Sequence, residues 1–163
     1  VPASEYKPLA ALAGITLGRK SASRAKATQA PTTAMVVEPI GTAGLKVKSG
    51  DRIIEVYYIG AEALDAKHPY YKTALAEHQK MVAGKKLKLA YGPVKTDDHG
   101  RLLAYVYPEG VDDNVKNTFN NRLVGAGLAK PGNFHGNDKH QAYFDNLGFI
   151  SKSNKTGLYK YEK

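Results

Sequence analysis

Arg101 stands between a polar turn, Lys95-Thr96-Asp97-Asp98-His99-Gly100, and an alternating run, Leu102-Leu103-Ala104-Tyr105-Val106-Tyr107. Gly100 and the adjacent aspartates favour a tight turn, and the alternation favours a half-buried strand. On physical grounds alone the stretch is an ordinary hairpin segment. A guanidinium at that junction has carboxylates close by, so an ion pair with Asp97 or Asp98 is the first chemistry its place suggests. The histidines suggest less. His135 and His140 are five apart with Asp138 between them, which is not the i, i+4 spacing that sets two imidazoles on one helix face for zinc. With His68, His78 and His99 they read as solvated loop residues. Gly125, Gly127 and Gly132 follow no strand as a dinucleotide fingerprint requires. Ser151 and Ser153 lie in no nucleophile motif.

Eleven tyrosines are the next candidates. Tyr57, Tyr58, Tyr70, Tyr71, Tyr91, Tyr105 and Tyr107 fall in or near expected strands. With neighbouring lysines they could stack on and neutralise single-stranded nucleic acid. Tyrosine also favours strands and interfaces for packing reasons, and core or interface positions are the better reading of these seven.

The 163 residues suit one domain with an appendage, and 42% hydrophobic residues suffice for a core. No run reaches the roughly 18 apolar residues of a membrane span. Leu9-Ala10-Ala11-Leu12-Ala13-Gly14-Ile15-Thr16-Leu17 is shorter, and suits a buried segment or a helix docked on a partner. The net charge of +9 favours acidic partners. Lys7, Arg19, Lys20, Arg24 and Lys26 against Glu5 give residues 1–34 a charge of +4. With no cysteine there is no disulfide, thiol nucleophile or Cys-ligated metal. The start at Val1 suggests a processed or trimmed product, and together with the basic character it suggests an organellar, mitochondrial setting.

Two regions emerge. Residues 1–34 read as an extended basic arm or linker that meets a partner, because no apolar period is sustained between Ser21 and Thr33. From Met35 the pattern is β: a run at Met35–Val37, alternation at Leu45 and Val47, then Arg52–Ile59 with Ile54, Val56 and Tyr58 on one face. Ser49-Gly50-Asp51 is a turn. Helical spacing predicts a helix over Lys72–Val82, with Ala74, Leu75, Met81 and Val82 inward. Leu87, Leu89 and Tyr91 alternate as a strand, and Leu102–Tyr107 as another. Helices are expected over Val115–Ala126, stopped by Gly127, and from about Asp138 to Ile150. This order is consistent with a five-stranded barrel capped by about three helices, an α+β fold.

Several segments, in order, resemble the staphylococcal nuclease (thermonuclease-like) family. Asp97–Val106 resembles its D-x-x-G-R-x-L-A-Y-V. Val56-Tyr57-Tyr58-Ile59-Gly60-Ala61-Glu62-Ala63-Leu64-Asp65 is similar to its V-R-L-I-G-I-D-T-P-E, and Lys67-His68-Pro69 stands where the family's exposed loop begins. Phe119–Ala129 resembles V-N-x-x-L-V-x-x-G-L-A, and Gly157-Leu158-Tyr159 the closing G-L-W. The resemblance spans about Met35 to Tyr159 and implies an OB-type barrel over residues 35–163.

That resemblance also implies a site and lets its parts be compared. Phosphodiester hydrolysis adds negative charge in the transition state, and the family compensates it with carboxylate-held calcium and two arginines. One arginine falls on Arg101, where it would contact the scissile phosphate. The other is replaced by Tyr57, which cannot clamp a phosphate bidentately. The family's metal-binding aspartate falls on Glu62, and its water-activating glutamate on Asp65. The turn that carries a further metal-binding aspartate is here Glu38-Pro39-Ile40-Gly41-Thr42-Ala43-Gly44, without a carboxylate in register. Asp51 could stand in only by deleting a strand. Losing one such group commonly costs about 10²–10³ in rate. The expectation is therefore a catalytically degenerate domain. Arg101, Glu62 and Asp65 are remnants, no cofactor is implied, and Glu62 is the one plausible metal vestige. Such a domain would serve as a structural or binding subunit of a larger assembly, contacted in part by the arm. A calcium-dependent nuclease acting on DNA or RNA through Glu62, Asp65 and Arg101 is one alternative. A nucleic-acid binder without cleavage is the other.

Overall fold

The computed structural model describes residues 30–162. The basic arm expected over 1–34 therefore lies outside the described residues as far as residue 29. Five strands form a closed barrel: β1 (Thr33–Ile40), β2 (Gly44–Ser49), β3 (Arg52–Tyr58), β5 (Lys86–Ala90) and β6 (Leu102–Pro108), in the order β1-β2-β3-β6-β5. β1 closes the ring by pairing with β5 through Thr33–Met35 and with β2 through Met35–Ile40. It serves both neighbours because a bulge between Val36 and Glu38 bends it, as bulges do where sheets must curve. β2 and β3 meet at a two-residue turn, with Ser49 opposite Arg52. Gly50 takes the positive φ of 61° that such a turn needs at its first position.

The one parallel pairing, Val56–Tyr58 with Leu102–Ala104, requires a long crossover. That crossover holds β4 (Gly60–Glu62), helix α1 (Tyr71–Val82) and β5. β4 pairs with a further short strand, β7 (Lys130–Gly132), in a separate two-stranded sheet. This small sheet was not expected. Its strands have three residues each, too few for a legible alternation.

The barrel interior is the core. Leu45, Val47, Val56, Tyr58, Leu87 and Leu89 are buried, in agreement with the alternation read from the sequence, whereas β6 is not the half-buried strand expected: Leu103 to Tyr107 are all buried, because other elements cover its outer face too. Tyr105 and Tyr107 are also buried, so strand tyrosines here serve packing. Ile53 and Glu55 face outward, on the side of β3 opposite Val56 and Tyr58.

Two elements depart from expectation. Val115–Ala126 is not one helix: Val115–Asn117 is a 3₁₀ turn, and helix α2 spans Phe119–Gly125. Thr118 separates them in an extended conformation and caps α2, its hydroxyl accepting from Asn121 N–H. A good N-cap starts a helix afresh where an apolar stripe alone would run through. The last helix, α3, spans Gln141–Ser153, three residues further along the chain than expected. A closing 3₁₀ turn occupies Gly157–Lys160.

His78 is not a solvated residue. It lies on α1 between Ala74 and Val82, and all three are fully buried. Its Nδ1–H donates to Gly41 O (3.0 Å), because a carbonyl can only accept. Its Nε2 then accepts from the Tyr58 hydroxyl at 2.9 Å. Burial lowers the imidazole pKa, opposed by the Gly41 carbonyl, so the neutral form is held.

A buried asparagine joins α2 to the barrel. Asn120 Nδ2 donates to Ile59 O (2.8 Å) and Ala104 O (2.9 Å), and its Oδ1 accepts from Val106 N–H at 2.8 Å. It satisfies Ile59 O and Val106 N–H and gives Ala104 O a second donor beside Ile59 N–H. Asn120→Leu would orphan Ile59 O and Val106 N–H in the core. The urea unfolding midpoint should fall by the equivalent of about 2–4 kcal/mol with an unchanged m-value. A change within about 0.5 kcal/mol would show that Asn120 is not a structural tie.

Candidate functional site

The β3–β6 pairing brings Tyr57 and the start of β6 together. Tyr57 lies opposite Leu103, and Arg101 immediately precedes β6. The Arg101 guanidinium sits over the Tyr57 ring, 4.3 Å from its centroid. Opposite Tyr57 on β2 is Gly44. The ring needs that glycine, since a Cβ there would lie 2.7 Å from Tyr57 Cε2. The aromatic thus covers a glycine on the neighbouring strand and offers its face to a cation.

Arg101 has a second partner. Its Nε donates to Asp97 Oδ2 at 2.8 Å. Asp97 Oδ1 accepts from the N–H groups of Arg101 (3.0 Å) and His99 (2.8 Å). The Asp97 side chain is 4% exposed and that of Arg101 37%. Burial alone would push the Asp97 carboxyl up. The two backbone N–H groups and the guanidinium outweigh it, so the carboxyl lies below its usual range. Burial works against the charge on Arg101 as well, yet Asp97 and Tyr57 raise its pKa. Tyr57 itself is raised, first by burial and then by Glu55, with Arg101 opposing.

The carboxylates stand elsewhere. Glu62 is exposed on β4 opposite Lys130. Its side chain lies over Gly132, where a Cβ would come within 2.5 Å of Oε1. Asp65 Oδ1 accepts from Lys67 N–H at 2.8 Å and so shapes its own loop. Asp51 sits in the β2–β3 turn, about 20 Å along the strand from Tyr57 at the usual rise. In the turn between β1 and β2, the Thr42 hydroxyl is buried and accepts from Leu64 N–H at 2.8 Å. The turn and the Glu62–Asp65 loop are therefore in contact through a neutral group.

Calcium takes six to eight oxygen ligands, usually with more than one carboxylate. Among the described residues no three His, Asp or Glu side chains gather to hold a metal ion. The oxygen donors of the turn and the neighbouring loop are the Thr42 hydroxyl, which accepts from Leu64 N–H, and the carboxylates of Glu62 and Asp65. The structure joins Tyr57 to Arg101. It shows no direct contact from that pair to Glu62 or Asp65. Thr42 and Asn120 are the residues that sequence reasoning missed. Asn120 had a signal, the asparagine of V-N-x-x-L-V, whereas Thr42 had none.

The family model for staphylococcal nuclease homologues matches residues 46–161, and the chain belongs to that family. The closed barrel with its helices is the OB-type α+β fold expected of it. Members are as a rule nucleases. A comparison with curated proteins finds no match.

Asp97 makes stability depend on acid. Its native pKa is lowered, so its contribution is whole above the unfolded value of about 4 and is lost as pH falls through the native value. Asp97→Asn should cost about 1 kcal/mol at neutral pH, the pair being partly exposed. The variant should also lose stability less steeply than the parent below pH of about 4. Melting temperatures across that range check this, and parallel curves would refute it.

Proposed function

We propose that this chain is a catalytically degenerate family member that acts as a binding or structural subunit of a larger protein assembly. The observation that carries this reading is the double engagement of Arg101, by the buried Asp97 carboxylate and by the Tyr57 ring. A guanidinium that stabilises a phosphoryl transition state must aim free donors at developing charge. Here Nε is committed to a carboxylate and the guanidinium face to an aromatic. The residue that would have doubled the positive charge supplies that aromatic. Thr42 adds support, because it places a neutral hydroxyl in the turn where the family carries a metal-binding carboxylate.

A non-cleaving nucleic-acid module is less well supported. Base stacking needs exposed aromatic faces, and Tyr58, Tyr105 and Tyr107 are buried, Tyr58 in the barrel and the other two on the outer face of β6 against His140 and Lys88. Lys88, which could neutralise a phosphate beside Tyr107, is paired with Asp113.

The test is incubation of the full chain with single-stranded DNA and RNA, with calcium and with chelator. No calcium-dependent cleavage above background is expected. Cleavage that needs calcium and disappears in Arg101→Ala would overturn the proposal. Salt-sensitive binding without cleavage would move the reading to the nucleic-acid module.

A further inference from the structure

The outer face of the barrel where β5, β1, β2 and β3 run side by side carries an apolar and cationic surface that the site does not use. Strand register sets Lys86 (β5), Met35 (β1), Lys48 (β2) and Ile53 (β3) in one row across four strands. Met35 is 46% exposed and Ile53 51%. Val37, 48% exposed, stands beside them because the β1 bulge leaves it without a strand partner. Scattered exposed apolar residues need no explanation. Here, however, three of the six large exposed apolar side chains of the described residues share one sheet face, which is clustering. Between the lysines runs a shallow groove of about 240 Å³, lined by Met35, Lys48, Gly50, Lys86 and Glu109.

The charges on this face separate into two parts. Near Val37, Lys46 is answered by Glu38 at 3.3 Å and lies opposite Glu55. Near Met35, the exposed Lys48 and Lys86 face Glu109 alone among the acids lining the groove.

These features restrict the occupant. Met35 and Lys48 are each paired on both sides, so a partner at this row lies across the sheet face and does not add a strand there. The exposed side chains are aliphatic, which gives bases nothing to stack on. The chain reaches β1 at this same edge, where Thr32 O accepts from Leu89 N–H at 2.8 Å. The preceding residues carry Lys7, Arg19, Lys20, Arg24 and Lys26 against Glu5. Their charge has the same sign as the groove, which disfavours that segment as its cover. A second copy of this face is disfavoured for the same reason.

We infer that this face docks an acidic protein segment in which aliphatic side chains are interspersed with carboxylates, the aliphatic groups resting on Met35, Val37 and Ile53 and the carboxylates on Lys48 and Lys86. The inference rests on the subunit reading above and names the chemistry of the partner. The probe is a short peptide of alternating glutamate and leucine, titrated into the isotope-labelled full chain and followed by amide chemical shifts. Polyglutamate and oligothymidylate of matched length serve as controls. The peptide should perturb β1, β2, β3 and the start of β5, and bind about tenfold more tightly than polyglutamate. Lys48→Glu with Lys86→Glu should weaken it roughly tenfold, and Met35→Ser with Ile53→Ser by a similar factor. All four side chains are at the surface, and an unchanged melting temperature confirms folding.

The inference is overturned if the peptide leaves these strands unperturbed. It is also overturned if neither double substitution weakens binding, or if oligothymidylate binds this face more tightly than the peptide. The subunit reading fails separately, by calcium-dependent cleavage, which substitutions on this face would leave intact.

Discussion

A carboxylate taken out of water must be compensated nearby, and removing its partner costs far more than the pair gains. Asp97 imposes that requirement here. Its two oxygens receive two backbone N–H groups and the Arg101 guanidinium. The same bonds define the turn that delivers the chain into β6. Once in β6, the chain makes the parallel pairing that closes the barrel beside Tyr57. Arg101 is thereby tied to the architecture before any substrate is considered, and the Tyr57 ring takes the open face of its guanidinium.

Around that pair the family's barrel is tied together by neutral groups. The β1–β2 turn still meets the loop of Glu62 and Asp65, through the Thr42 hydroxyl and the Leu64 amide. The turn is also held from below, where His78 Nδ1–H reaches Gly41 O and Tyr58 secures the other side of the ring. These are neutral hydrogen bonds, and they satisfy buried groups without creating a field for a cation or a phosphate. Each contributes of order 1 kcal/mol to the fold. Together they tie the β1–β2 turn to helix α1 and to the loop that follows β4.

The fold was legible where the physics is periodic. Ile54, Val56 and Tyr58 alternate inward because β3 is half-buried, and α1 shows its stripe at Ala74 and Val82. What escaped was set by single side chains and tertiary contacts. Thr118 restarts a helix within an unbroken apolar stripe. β4 and β7 exist because two short segments meet far apart in sequence. His78 looked like a solvated residue because its partners, Tyr58 and Gly41, are distant along the chain. At the site, the resemblance implied that Tyr57 stands where the family has an arginine. That Tyr57 would accept the remaining arginine on its face could not be read, since the contact depends on a strand pairing and on the bare Gly44 opposite. The choice of Asp97 over Asp98 as the ion-pair partner was likewise open until the turn geometry buried Asp97.

The central claim is that Arg101 is spent on structure. The most direct test is a double-mutant cycle between Tyr57→Leu and Arg101→Met, measured by equilibrium unfolding of the full chain. The stacked pair predicts a coupling of about 0.5–1 kcal/mol, with each single variant destabilised. Additive effects, together with an Arg101→Met variant as stable as the parent, would contradict the account and return Arg101 to the pool of residues free to act on a ligand.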